Sequence, residues 1–267
     1  MCLYPKLIKN RKYQPNKKNK GIIPHMKDPR LNYVPVACGK CMECAKATAR
    51  TWQTRLSEEI KKPIKAIFVT LTFSDYEYTK LYNEIKDISY YDIDNRIATK
   101  AVRRFTELYR KYTKKTLRHW LITELGKNGT ENIHLHGIIW SNEPYIIQKY
   151  STLWKYGHTY PNNTTQPNYV NEQTINYIVK YCYKTDSLHT NYKPKILSSK
   201  GIGNNYINHK TKAKHKYKPN QTNEIYQTRA GIKTNLPTYY RNKIYTEEQR
   251  EELWLEKLNN SKIMCLS

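Results

Sequence analysis

The period of the hydrophobic positions changes repeatedly along this chain, and each change marks an element. Ala66-Ile67-Phe68-Val69-Thr70-Leu71-Thr72-Phe73 is β-branched and aromatic throughout, which predicts a strand, central in its sheet because its hydrophobicity is nearly continuous. His119 to Leu125 predicts a second strand, Gly126 to Thr130 a turn, and Ile133 to Trp140 an antiparallel partner. Helical spacing takes over elsewhere. Ala45, Ala49, Trp52 and Leu56 form a stripe in a helix from Ala45 through Lys61, which Pro63 closes. After a polar, tyrosine-rich loop, Ile97, Ala101, Val102, Phe105, Leu108 and Tyr109 share the face of a helix that Asp94 is expected to cap. A shorter helix follows around Pro144 to Trp154, then a short strand at Gly157 to Tyr160 and a helix from Val170 to Lys184 capped by Asn171. Tyr245 to Leu258 predicts a terminal amphipathic helix with Thr246 at its cap and Glu247 and Glu248 near its N-terminus.

Between these elements lie segments without period. Residues 1 to about 37 predict an extended basic arm, with Pro5, Pro15, Pro24, Pro29 and Pro35 breaking any helix. Gly201-Ile202-Gly203-Asn204-Asn205 is expected to be a turn, since it lacks the strand-to-helix setting and Lys-Ser/Thr ending of a phosphate-binding loop. The resulting organisation is an arm, cysteine cluster and helix over 1–62, a core over 63–190, and a basic linker with the terminal helix over 191–267.

Charge narrows the class of partner. Forty-seven Lys and Arg against 22 Asp and Glu leave a formal charge of +25, which attracts a polyanion, nucleic acid before a membrane surface. Twenty-five tyrosines accompany that charge, and cations with flat rings suit single-stranded nucleic acid. An A/T-rich genome would also raise the tyrosine count without selecting any contact. No apolar run approaches the ~20 residues needed to cross a bilayer, and the N-terminus lacks the apolar stretch of a secretory signal, so the chain is expected to stay soluble where it is made.

Two groups of residues carry candidate chemistry. A strand places alternate side chains on one face, so His134 and His136 point together and would grip one cation, with Glu124 reaching the same ion across the hairpin. Two nitrogens and one carboxylate suit Mn²⁺ or Mg²⁺ in phosphate chemistry and also accept zinc. Gly137 is expected to leave room for a phosphate beside the ion. Tyr177 and Tyr181 lie four apart, hence side by side on a helix, with Lys180 between them to add positive charge. Tyrosine titrates near ~10, so a nucleophilic phenol needs a nearby cation. The second group is Cys38-x-x-Cys41-x-x-Cys44, too closely spaced for unstrained local disulfides. Those thiols are either free or three ligands of a structural zinc, with Cys2 or His25 as the fourth.

Taken in order, the hydrophobic strand Phe68 to Phe73, Glu124 with His134-Leu135-His136-Gly137, and Tyr177-x-x-Lys180-Tyr181 resemble the three motifs of the HUH rolling-circle replication initiators. The two-tyrosine form resembles the initiators of the Microviridae, small single-stranded DNA phages. Met1-Cys2-Leu3-Tyr4-Pro5 and the cysteine cluster with Ala49-Arg50-Thr51-Trp52 resemble the replication-associated proteins of their gokushovirus-like members. The resemblance implies an α+β fold with a central antiparallel sheet flanked by helices. It also implies a metal-dependent endonuclease and strand-joining activity in which His134 and His136 hold Mg²⁺ or Mn²⁺, Tyr177 and Tyr181 attack, and Lys180 assists. The expected partners are single-stranded and origin DNA with the host polymerase and helicase, in the cytoplasm of a bacterial host. The rival readings are a transposase or relaxase with the same site, and a non-catalytic single-strand-binding or packaging protein.

Overall fold

A computed structural model describes residues 2–85, 90–126, 132–163, 168–184, 189 and 191–264. In chain order the strands and α-helices are β1 (Lys6–Lys9), β2 (Tyr33–Val36), α1 (Met42–Glu59), β3 (Ala66–Thr72), α2 (Asp75–Asn83), α3 (Tyr90–Thr113), β4 (Arg118–Leu125), β5 (Ile133–Trp140), α4 (Ile146–Leu153), β6 (Thr159–Tyr160), α5 (Glu172–Val179), β7 (Ile196–Ser198), α6 (His209–Lys214), β8 (Ile225–Gln227), β9 (Lys233–Asn235), α7 (Thr238–Ile244) and α8 (Glu247–Met264). The chain divides into two compact units, Arg55–Gly203 and the pair Met1–Thr54 with Asn204–Ser267. Among the described residues, no helix is long and apolar enough to cross a membrane.

The first unit is an α+β fold around a five-stranded antiparallel sheet of order β6-β3-β5-β4-β7. Its middle strand is β5. β3 lies beside it, and its burial alternates: Ile67, Val69 and Leu71 are buried while Phe68, Thr70 and Thr72 are half-buried. β3 is interior as its hydrophobicity predicts, paired on both edges, and its second face is half-buried where Trp120, Ile122 and Ile138 are buried on the same face of β4 and β5. The buried set from β3 joins Leu121, Ile133, Leu135 and Ile139 against Ile97, Ala101, Phe105 and Tyr109 of α3 and Tyr150 of α4. This packed face fixes strand register, because a slip of one residue would turn the whole apolar set outward.

Two local expectations are corrected. The tyrosine-rich segment after β3 is the helix α2, whose cap is Ser74: its Oγ accepts from the Glu77 N–H at 3.3 Å. Asp94 is no cap, because α3 begins upstream at Tyr90 and the spacing of Ile97 and Ala101 continues back to buried Ile93. Asp94 is buried within the helix and accepts from the Tyr78 hydroxyl at 2.6 Å. Between β4 and β5 the Gly126 N–H donates to the Asn132 carbonyl at 2.9 Å, and positions 127–130 of the expected turn lie outside the described residues.

The second unit folds what read as an extended arm. Strands β1 and β2 pair antiparallel in the register Lys6↔Val36 to Lys9↔Tyr33, and short 3₁₀ turns at Arg11–Tyr13 and Pro29–Leu31 bury Tyr13 and Leu31. The prolines exclude an α-helix, but they leave a 3₁₀ start (Pro29) and a ribbon strand (Pro35) open. The same unit has a tyrosine-rich core of Tyr206, Tyr226, Tyr240 and Tyr245 with Leu236 and Leu253. Helix α8 starts as expected: the Gln249 N–H donates to Thr246 Oγ1 at 3.3 Å and the Thr246 N–H to Gln249 Oε1 at 3.0 Å. Its apolar face is narrower than the sequence suggests, with Leu253 its one buried residue among the described side chains.

Candidate active site

The sheet face opposite α3 gathers the residues singled out in the sequence. Register sets Glu124 on β4 directly across from His134 on β5, and places Thr70 and Thr72 of β3 across from His136 and His134. Cross-strand neighbours of this kind have Cβ atoms ~5 Å apart, close enough for side chains to meet. His136 sits in the middle of the group. Its Nε2 lies 2.9 Å from Glu124 Oε2, and its Nδ1 3.0 Å from Thr70 Oγ1. The rings of His134 and His136 have centroids 6.3 Å apart, nearly perpendicular.

The tyrosine segment covers this face. Asn171 starts α5 with a reciprocal cap, its Oδ1 accepting from the Thr174 N–H at 3.0 Å and its own N–H donating to Thr174 Oγ1 at 3.4 Å. The α-helix ends at Val179 and continues as a 3₁₀ turn, Lys180–Cys182, two residues short of the extent expected. The phenols still meet: Tyr177 and Tyr181 hydroxyls are 2.8 Å apart, and the Tyr181 ring stacks on His136 at 4.9 Å and 7°. Tyr181 is 6% exposed and Tyr177 52%. A cleft of ≈ 410 Å³ opens beside Tyr177, walled by Phe68, Tyr160 and Tyr169 with Asn168 and Gln173.

Electrostatics distinguish the members of the group. Burial pushes the His134 imidazole below its ordinary value, the neighbouring His136 adds to this, and Glu124 opposes it. A neutral ring offers a lone pair. Burial alone would raise the Glu124 carboxyl, but hydrogen bonds from His136 and Lys184 outweigh it and hold the group below the usual carboxylate range. Tyr181 is shifted strongly upward, first by burial, then by its hydrogen bond with Tyr177 and by the charge of Glu124. As placed, Tyr181 keeps its proton.

Three placements differ from expectation. Lys180 is exposed, and the ammonium that reaches the site is Lys184, which pairs with Glu124 and lies 4.9 Å over the Tyr181 ring. Lys184 is missed in the sequence because it follows the motif, although the Lys184 N–H to Lys180 carbonyl bond at 2.8 Å carries the helical turn that far. Gly137 makes no room for a phosphate: a Cβ there would stand 2.0 Å from the Trp120 carbonyl oxygen and 2.8 Å from the Leu121 Cα. The glycine is required by the close approach of β4. Thr70 also went unnoticed, its role depending on a register that no local pattern specifies.

Two imidazoles and a carboxylate on one sheet face are a donor set suited to a divalent cation, and Thr70 at Nδ1 provides the outer partner that orients a ligating histidine. Here Glu124 is engaged with His136 and Lys184. Among the described residues, the His, Cys, Asp or Glu ligand atoms that gather in a set of three or more, all within 4.8 Å, are the sulfurs of Cys2, Cys38, Cys41 and Cys44 in the other unit. His25 is exposed and outside that set.

Comparison with curated proteins and with solved structures returned no match. Residues 66–186, which include every side chain of the sheet-face site, match the family model of the replication-associated protein ORF2.

Proposed function

We propose that this chain is a metal-dependent, single-strand DNA nicking and joining enzyme that initiates rolling-circle replication of a small phage genome of the Microviridae kind. The observation that carries this reading is the stack of Tyr181 on His136 with the Tyr177 hydroxyl 2.8 Å from that of Tyr181, which puts two phenols beside a histidine–carboxylate set. The match of residues 66–186 to a replication-associated family supports it.

The phenol oxygen attacks phosphorus at the origin, the bond from phosphorus to the 3′ oxygen breaks, and the phenolic proton is balanced by protonation of the leaving 3′ oxygen. The products are a 5′-phosphotyrosine ester and a free 3′ hydroxyl. A divalent ion held by His134, His136 and Glu124 would polarise the phosphate and stabilise the leaving oxygen. Tyr177, half-exposed beside the cleft, meets the incoming strand first; the rings of Phe68, Tyr160 and Tyr169 supply stacking for the flanking bases. Tyr181, buried and held protonated, acts second, once the first ester has moved. Rejoining is the reverse attack by the freed 3′ hydroxyl.

The test is an origin-bearing oligonucleotide incubated with the protein and Mg²⁺ or Mn²⁺, read by intact mass. Tyr177→Phe should lose the first-turnover adduct, and Tyr181→Phe should form it but fail to complete a second transfer. Adduct persisting in the double variant would reject the reading. Salt-sensitive binding with no adduct at any metal concentration would instead leave a single-strand-binding protein.

A further inference from the structure

The N-terminal ribbon should not hold itself together. Strands β1 and β2 have four residues each, nearly all exposed, and an isolated two-stranded ribbon is at best marginally stable in water. The register Lys6↔Val36 defines its open end, from which the chain runs back to Cys2 on one side and on to Cys38 on the other. The Cys38 N–H donates to Cys2 Sγ at 3.2 Å, so the two ends are in contact. Cys41 directly precedes α1 and Cys44 lies one turn inside it, which brings their sulfurs to 3.4 Å.

We infer that Cys2, Cys38, Cys41 and Cys44 form a tetrathiolate zinc site that closes the open end of the β1–β2 ribbon onto the start of α1. All four sulfurs lie within 4.8 Å of one another, with Cys38 to Cys44 at 3.8 Å and Cys2 to Cys41 at 3.9 Å. Zinc–sulfur bonds of ~2.3 Å in a tetrahedron set sulfur–sulfur edges of about 3.8 Å, whereas a disulfide needs ~2.05 Å. These four cysteines are free, and their spacing is that of ligands around one ion. Four thiolates around Zn²⁺ leave a surplus of negative charge. Backbone donors offset it: the N–H groups of Lys40 and Cys41 both point at Cys38 Sγ, at 3.4 and 3.3 Å. With no position left for water, the site is structural. The register also explains how Cys2 returns to the cluster, a step that the sequence alone makes look like a long excursion.

The test is elemental analysis of the full-length protein purified without added chelator. One zinc per chain is expected, and replacement by Co²⁺ should give the sulfur-to-metal charge-transfer and visible bands of a four-sulfur tetrahedral site. Cys2→Ser and Cys44→Ser should each lose the metal, while His25→Ala and Cys182→Ser should retain it. Hydrogen exchange on the intact wild type, before and after chelation, keeps the test valid where a variant fails to fold: amides of β1 and β2 should lose protection when zinc leaves. All six thiols titratable with no zinc uptake, a mass deficit of two hydrogens from a disulfide, iron in place of zinc, or loss of metal in His25→Ala would each overturn the assignment. None of these readouts depends on nicking.

Discussion

The two compact units bury different chemistry. The sheet unit packs Ile67, Val69, Leu71, Leu121, Leu135 and Ile139 against α3, a mainly aliphatic interior in which the fewer tyrosines, Tyr109 and Tyr150 among them, bond to Ser141 Oγ and the Pro161 carbonyl. The other unit centres on Tyr206, Tyr226, Tyr240 and Tyr245, and each ring brings a hydroxyl inside with it. Aliphatic packing gives rigidity with no directional requirement; a tyrosine core gives it only if every hydroxyl finds a partner. The comparison also answers the composition. Part of the tyrosine surplus forms hydrophobic core, whatever codon bias supplied it, while Tyr160, Tyr169 and Tyr177 stay exposed beside the candidate site.

The largest expected effect is in the aliphatic unit. Phe105 is 1% exposed, and its ring packs edge-on against Trp154 at 5.6 Å. Phe105→Ala should cost ~3–5 kcal/mol through lost contacts and the cavity left behind. Because a chain with two compact units need not unfold in one step, the measurement is native-state hydrogen exchange at the amides of β5. A loss below ~1 kcal/mol would mean that the helix–sheet face is not the close-packed interior described.

A hydroxyl deletion probes the tyrosine core. His215 is fully buried, which pushes its imidazole toward the neutral form, and its Nδ1–H donates to the Asn223 carbonyl at 2.6 Å. Nε2 must then accept, and the Tyr206 hydroxyl donates to it at 2.8 Å. Tyr206→Phe should therefore cost ~1–3 kcal/mol for a buried acceptor left unpaired, read as faster exchange at amides of β8 and β9. A neutral result would make the interior of this unit as indifferent to direction as the aliphatic one.

The same division governs what could be read from the sequence. Elements with a continuous apolar face were legible nearly to the residue: β4 is one residue longer than expected at its start, and β5 matches in full. Helix α2 was missed because Asp75 to Asn83 buries only Leu81, yet Ser74-x-x-Glu77 is a helix-start signature that could have revealed it. At the site, the histidine pair and both tyrosines came from spacing within single elements, and Glu124 from its place across the hairpin. Lys184 and Thr70 did not, since each meets the site through tertiary register. The ribbon β1–β2 was hidden for a related reason: four-residue strands interrupted by Pro35 carry too short a pattern to distinguish pairing from plain extension.

The smallest expected effect separates the units by consequence instead of size. Asn171 caps α5 in the sheet unit and Thr246 caps α8 in the other, each through a side-chain oxygen that accepts from an N–H three residues on. Removing either cap should cost about 1 kcal/mol. Helix α5 has only eight residues, however, and its last turn carries Tyr177, so a frayed start moves the exposed phenol relative to His136. Asn171→Ala should slow adduct formation in single turnover, while Asn171→Asp, an equally good cap, should restore it. Thr246→Ala should lower the stability of its own helix by the same amount and leave that rate unchanged. If Asn171→Ala matched the wild-type rate despite measurable fraying of α5, the position of Tyr177 would not depend on the helix that carries it, and the pairing of phenol with histidine would have to be fixed by Tyr181 and its stack on His136 alone.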